Sequence, residues 1–147
     1  MTHTLRLTLQ RDADGSCGLD CEASHDGFAG RGQAWFNLAE IRRFCEALGV
    51  YPLPAAGVSL NGGYGGTPHE RVVTLELTVR TTDSVGGLDL VATLADFPVT
   101  NRPWEVLRSA IVRVPMTYET LRTFATRLHA LCDGTATEAT LDQAQGP

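Results

Sequence analysis

The sequence predicts an α+β fold: an internally duplicated βββα unit forming one antiparallel sheet of six or seven strands, with two helices on one face. Three observations predict it. The helical pattern NLAEIRRFCEAL at 37–48 returns as TYETLRTFATRL at 117–128. Upstream, TLRLTLQ at 4–10 returns as TLELTVR at 74–80, and GLDCEA at 18–23 as GLDLVA at 87–92. The segments before the helices alternate apolar and polar residues with period two, the pattern of half-buried strands.

The elements follow in order. Leu5, Leu7 and Leu9 alternate with Arg6, Thr8 and Gln10 in a first strand. RDADGSC is a polar turn, and Leu19, Cys21 and Ala23 mark the returning strand. DADGS at 12–16 has the opening of a calcium loop but lacks the third acid and the closing glutamate, so a hairpin connection is expected. GRGQAWF at 30–36 is a third strand. Leu38, Ile41, Phe44, Cys45 and Leu48 then form an apolar helical stripe. Asn37 and Glu40 have the spacing of a capping box, and Gly49 suits a left-handed helix end. AGVSL at 56–60 is a candidate short strand before the second copy.

In that copy, Leu75, Leu77 and Val79 repeat the first strand, and Leu88, Leu90, Ala92 and Leu94 the second. SAIVRVPM at 109–116 repeats the third. Thr117 caps a helix whose stripe is Tyr118, Leu121, Phe124, Ala125, Leu128 and Leu131, and Gly134 ends it. The offset between copies grows from about 70 to 80, placing roughly 11 extra residues near FPVTNRPWEVLRS. The domain is expected to span 1–132, with pseudo-repeats 4–48 and 74–128. The segment 133–147, DGTATEATLDQAQGP, is poor in apolar residues and is expected to fray.

Composition narrows the function. The 147 residues carry a net charge of −5, which disfavours non-specific nucleic-acid binding. No apolar run reaches the roughly 20 residues of a membrane span. MTHTLRLTLQ has no basic region followed by an apolar stretch, and the four cysteines form no C-x-x-C pair. A cytoplasmic location with reduced thiols is expected, with no metal and no cofactor.

Catalytic constellations are weak. Cys45 lies on an apolar stripe, where cysteine packs as a small hydrophobe. Asp20 and Asp89 occupy equivalent strand positions, which repetition explains without acid–base chemistry. NGGYGG at 61–66 leads into a strand, not a helix, and lacks a phosphate-loop spacing. It reads as a flexible connection, or as a loop presenting Tyr64 to a small ligand. The surface expected to work is the wet sheet face bearing Arg31, Gln33, Trp35, Glu76 and Arg80, with Trp104 of the insertion at its rim. Tryptophan and arginine on rigid strands often dominate protein contacts. The competing reading folds the 97–109 insertion over Trp35.

The passage GRGQAWFNLAEIRRFCEAL, the later VRVPMTYETLRTFATRL, an early β-meander and the acidic balance together resemble small bacterial immunity proteins of the WapI-like kind, which neutralise polymorphic toxins. Such families share no catalytic residues. The resemblance therefore implies a non-enzymatic protein that binds a protein partner, a toxin domain, and it transfers no site residue. A small-ligand binding module or weakly marked enzyme, using a cleft near 61–66, is the alternative.

Overall fold

A computed structural model describes residues 3–64, 72–83, 86–96 and 108–142. The described chain runs β1 (His3–Arg11), β2 (Ser16–His25), β3 (Phe28–Asn37), α1 (Leu38–Leu48), β4 (Val58–Tyr64), β5 (Val72–Thr81), β6 (Leu88–Ala95), β7 (Ser109–Met116), α2 (Tyr118–Asp133) and β8 (Glu138–Asp142). The class is α+β, as expected, but the sheet is not single. Two antiparallel sheets of four strands form, sheet A in the order β3-β2-β1-β8 and sheet B in the order β4-β5-β6-β7.

The correction has a topological cause. Written from its other edge, sheet B reads β7-β6-β5-β4, the mirror in sequence of β3-β2-β1-β8. The repeat is thus βββαβ, and its fifth element leaves home. β4, from the first half, pairs with β5 of the second. β8, from the second half, pairs with β1 of the first. The described part of 133–147, which runs to Asp142, is therefore not a frayed tail. Glu138–Asp142 is a strand in which Ala139 and Leu141 are buried, because the edge of β1 offers it a ladder.

Local irregularities repeat too. The β1–β8 ladder skips Thr4 and the β4–β5 ladder skips Thr74, and both threonines are buried. These positions correspond between the copies, so each carries the same bulge. The β2–β3 hairpin closes on Asp26 and Gly27, with φ of 50° and 85°. That pair of positive values is what a two-residue turn between right-twisted strands requires.

Each sheet turns one face inward. Leu5, Leu7, Leu19, Cys21 and Ala34 do so in sheet A, and Leu75, Leu77, Leu90, Ala92 and Val112 in sheet B. The helix stripes complete one core: Ile41, Phe44, Cys45 and Leu48 from α1, and Leu121, Phe124, Ala125, Leu128 and Leu131 from α2. β3 lies across sheet B. A side chain at Gly30 would meet Ala110 of β7 and Leu94 of β6, and one at Gly62 of β4 would meet Ala34 and the Phe36 ring. A Cβ at Gly32 would collide with the Thr74 carbonyl of β5 and crowd Leu94. Thr74 Oγ1 secures the crossing by donating to the Gln33 carbonyl at 2.5 Å.

Gly62 also corrects the reading of NGGYGG. Asn61 to Tyr64 belong to β4 rather than to a loop, and Gly62 is small because the Phe36 ring presses on it. The rest of that stretch lies outside the described residues.

The helix ends are held differently. Glu40 Oε1 accepts from the Asn37 N–H at 3.1 Å, the expected start of α1. Gly49, expected to be left-handed, has φ −84° and stays right-handed. Gly134 is left-handed at φ 79°, and the Thr135 N–H reaches back to the Ala130 carbonyl. Two arginines finish α2: Arg11 and Arg42 both donate to the Cys132 carbonyl, and Arg42 pairs with Asp133 at 2.7 Å. That hydrogen bond from Arg42 holds the Asp133 carboxyl below its ordinary range.

Phe124→Ala should cost about 3–5 kcal/mol, since the ring is fully buried between the copies. Urea unfolding checks this, and a loss under about 1 kcal/mol would place the ring outside the core. Two glycine changes should separate cleanly. Gly32→Ala forces a methyl against backbone and should cost about 1–3 kcal/mol or more, whereas Gly49→Ala, with an ordinary φ and a contact of 3.4 Å to the Glu46 carbonyl, should stay within about 0.5 kcal/mol.

Candidate functional site

The alternation that buries one face of sheet A sets the other in water. Register aligns its outer residues in rows: Arg6 beside Glu22 beside Arg31, Thr8 beside Asp20 beside Gln33, and Gln10 beside Gly18 beside Trp35. The ladder thus delivers Arg31, Gln33 and Trp35 to one edge strand, two residues apart on the same face, as the sequence predicts.

Their surroundings fix their poses. Arg6 Nη2 meets Glu22 Oε2 at 3.0 Å, and its Nη1 lies 3.9 Å from Glu138 Oε2. Arg31 Nε is 3.5 Å from Asp20 Oδ1 and 3.9 Å from Glu22 Oε1. The charges alternate across the face, so neither sign forms a patch. Each pair is exposed enough that its contribution to stability is small. Trp35 rests its indole on Gly18: a Cβ there would lie 3.4 Å from Cζ2 and Cη2 of the ring. The glycine makes a flat seat, and the tryptophan as a whole stays 39% exposed. Trp35 thus sits at one end of a face whose paired charges, Arg6, Asp20, Glu22 and Arg31, lie further along the strands. Residues 97–107 of the insertion proposed to cover it, Trp104 among them, lie outside the described residues.

Glu76 and Arg80 do not join this group. They stand on the outer face of sheet B, where Glu76 accepts from Asn61 Nδ2 at 2.9 Å and Arg80 lies across the ladder from Asp89. The single surface expected from sequence is therefore two surfaces, because its strands belong to two sheets. Asp20 and Asp89 are divided the same way, one beside Arg31 and one beside Arg80, so they form no carboxylate pair. Tyr64 ends β4 opposite Val72.

The other sequence candidates are spent on structure. Asp14 accepts from the Ser16 N–H at 3.0 Å and its hydroxyl at 2.6 Å, and these bonds lower its carboxyl pKa. The calcium-like DADGS is thus a hairpin turn. All four cysteines are free and buried. Burial pushes the Cys45 thiol up to about 12, and it raises Cys17, Cys21 and Cys132 as well. Cys45 donates to the Ala125 carbonyl at 3.2 Å, a contact between the helices.

Sequence reasoning missed a hollow at the end of this face away from Trp35. A depression of about 510 Å³ is lined by Arg6, Glu22, Ala23, Ser24, Ala29, Gly30 and Arg31. A second, of about 290 Å³, continues past Gly30 to Leu94, Asp96, Arg108 and Ala110. The signal was present as the small-residue run Ala29-Gly30, which only the crossing of β3 over sheet B turns into a recess. The described residues contain no group of His, Cys, Asp and Glu arranged to hold a metal ion. No described helix is long and apolar enough to cross a membrane. The chain matches no family model, no curated protein and no solved structure among known proteins.

The thiols give a direct check. Native protein at pH 8 should react negligibly with a thiol-specific disulfide reagent, because the neutral buried thiols are poor nucleophiles. Urea should release all four. A fast native reaction of one equivalent would show an accessible, activated cysteine.

Proposed function

We propose that the chain is a non-enzymatic interaction protein that docks a protein partner on the outer face of sheet A. In its most concrete form it is an immunity protein that neutralises a bacterial toxin domain. The observation that carries the reading is Trp35, 39% exposed on a Gly18 seat within a four-stranded face of paired charges. Rigid strands lose little freedom on binding, and a seated tryptophan sharing its face with an arginine is the composition of an interface hot spot. The alternating charges offer register to a partner of complementary pattern. The acidic net charge of −5 favours a basic partner, and the resemblance of the two strand-to-helix passages to immunity proteins points to a toxin. The small-ligand reading at 61–66 has less support, because Asn61 to Gly63 are strand residues and Gly62 is filled by Phe36.

Affinity capture from the native host, followed by titration of the captured partner, tests the reading. Trp35→Ala and Arg31→Ala, each with unchanged circular dichroism and melting midpoint, should weaken binding at least tenfold. Arg80→Ala, on the other sheet, should leave it unchanged. Parent-like affinity in both sheet A variants would overturn the docking face.

A further inference from the structure

The two exchanged strands are treated differently at their outer edges. Arg127 of α2 wraps the edge of β8: its Nη1 donates to the Thr140 carbonyl, to Thr140 Oγ1 and to Asp142 Oδ2, each at 3.0 Å. Thr140 pairs with Arg6, so its side chain belongs to the outer face and Arg127 reaches round the strand from the helix side. A strand edge is a template for another chain, and a basic side chain laid along it obstructs that pairing.

In sheet B, β4 holds the position of β8 and has a strand on one side among the described residues. Arg6 opposite Thr140 corresponds to Glu76 opposite Asn61. Phe124 corresponds to Phe44, so the counterpart of Arg127, three residues on, is Ala47. Alanine has no reach. Where the guanidinium sits in one half, the other has a groove of about 290 Å³ between α1 and β4, lined by Glu40, Arg43, Phe44, Ala47, Val58 and Leu60 with their strand neighbours. Glu40 is engaged by the Asn37 N–H. Arg43, one turn before Ala47, is exposed and has no ion-pair partner among the described residues.

We propose that β4 is a strand-addition site: an extended segment of another polypeptide, carrying an acidic side chain, pairs with β4 as a fifth strand of sheet B and sets its carboxylate on Arg43. The strand main chain supplies a ladder, the groove takes alternate apolar side chains, and the arginine selects charge. Arg127 shows that an arginine on this helix flank can hold a strand-borne carboxylate, as it does Asp142 of β8 at 3.0 Å. The site is separate from the outer face of sheet A, and neither depends on the other.

Panning a phage-displayed library of randomised heptapeptides on the full chain tests this. Enriched peptides should alternate apolar residues and carry Asp or Glu. A synthetic copy of the best should lose at least tenfold in affinity when alternate backbone amides are N-methylated, a comparison that needs no protein variant. Ala47→Arg, which restores the plug, should weaken it at least tenfold, and Arg43→Ala should weaken it several-fold. Trp35→Ala should leave it unchanged. The proposal is overturned if no peptide is enriched, if methylated and Ala47→Arg forms bind like the parents, or if Trp35→Ala abolishes binding.

Discussion

The structure depends on a reciprocal exchange of strands. β8 from the second half completes sheet A against β1, and β4 from the first completes sheet B against β5. Without the exchange each half would present the edge of its first strand, with main-chain donors and acceptors that only water could satisfy. The exchange also commits the helices. α1 must lead into β4 and α2 into β8, so each helix leaves a strand of one sheet and delivers the chain to the other. The result is a core to which both halves contribute and which neither could close alone.

Where the halves meet, corresponding residues touch each other. Gly30 approaches Ala110, and Cys45 donates to the carbonyl of Ala125; both pairs are equivalent at the offset of 80. Contact between equivalent positions marks the local pseudo-twofold axis. A residue on such an axis meets its own counterpart, so the space is shared by two side chains of one position. Glycine, alanine and cysteine fit there, and two large residues would not. Away from the axis the same positions hold large residues, as Phe44 and Phe124 do.

The halves diverge on the surfaces that packing leaves free. The counterparts of Arg31, Gln33 and Trp35 at the same offset are Ile111, Arg113 and Pro115. Sheet A thus presents a seated tryptophan among paired charges, whereas the edge of sheet B presents an exposed isoleucine and a proline. Arg127 and Ala47 differ in the same way along the two helices. Core positions differ as well, Gly32 and Ala34 standing where the second copy buries Val112 and Val114, but each such change has to be matched by its neighbours, whereas an outer face or a helix flank can change without cost to packing. The surface differences are the ones a partner could read.

Much of this was legible in the sequence because it is local. Period-two alternation placed Leu5, Leu7, Leu75 and Leu77 inside, and three- and four-residue steps placed Phe44 and Phe124 there, since each pattern reports only the geometry of its own segment. The same alternation brought Arg31, Gln33 and Trp35 to one face, because all three lie on one strand. What depends on the choice of partner strand was not legible. TEATLD alternates polar and apolar residues but has only two apolar ones, Ala139 and Leu141, too short a pattern to stand out beside a polar tail, and it is ordered because β1 has an edge to offer. NGGYGG looks like a loop, and Gly62 sits in a strand because Phe36 arrives from another sheet. Glu76 and Arg80 share the parity of Trp35, yet parity says which side of its own sheet a residue faces and not which sheet that is. The sequence by itself determined the first three strands and the helix of each copy, with their inward faces. Tertiary structure alone decided that the copies trade their last strands, because hydrogen bonding between distant edges has no signature in either segment.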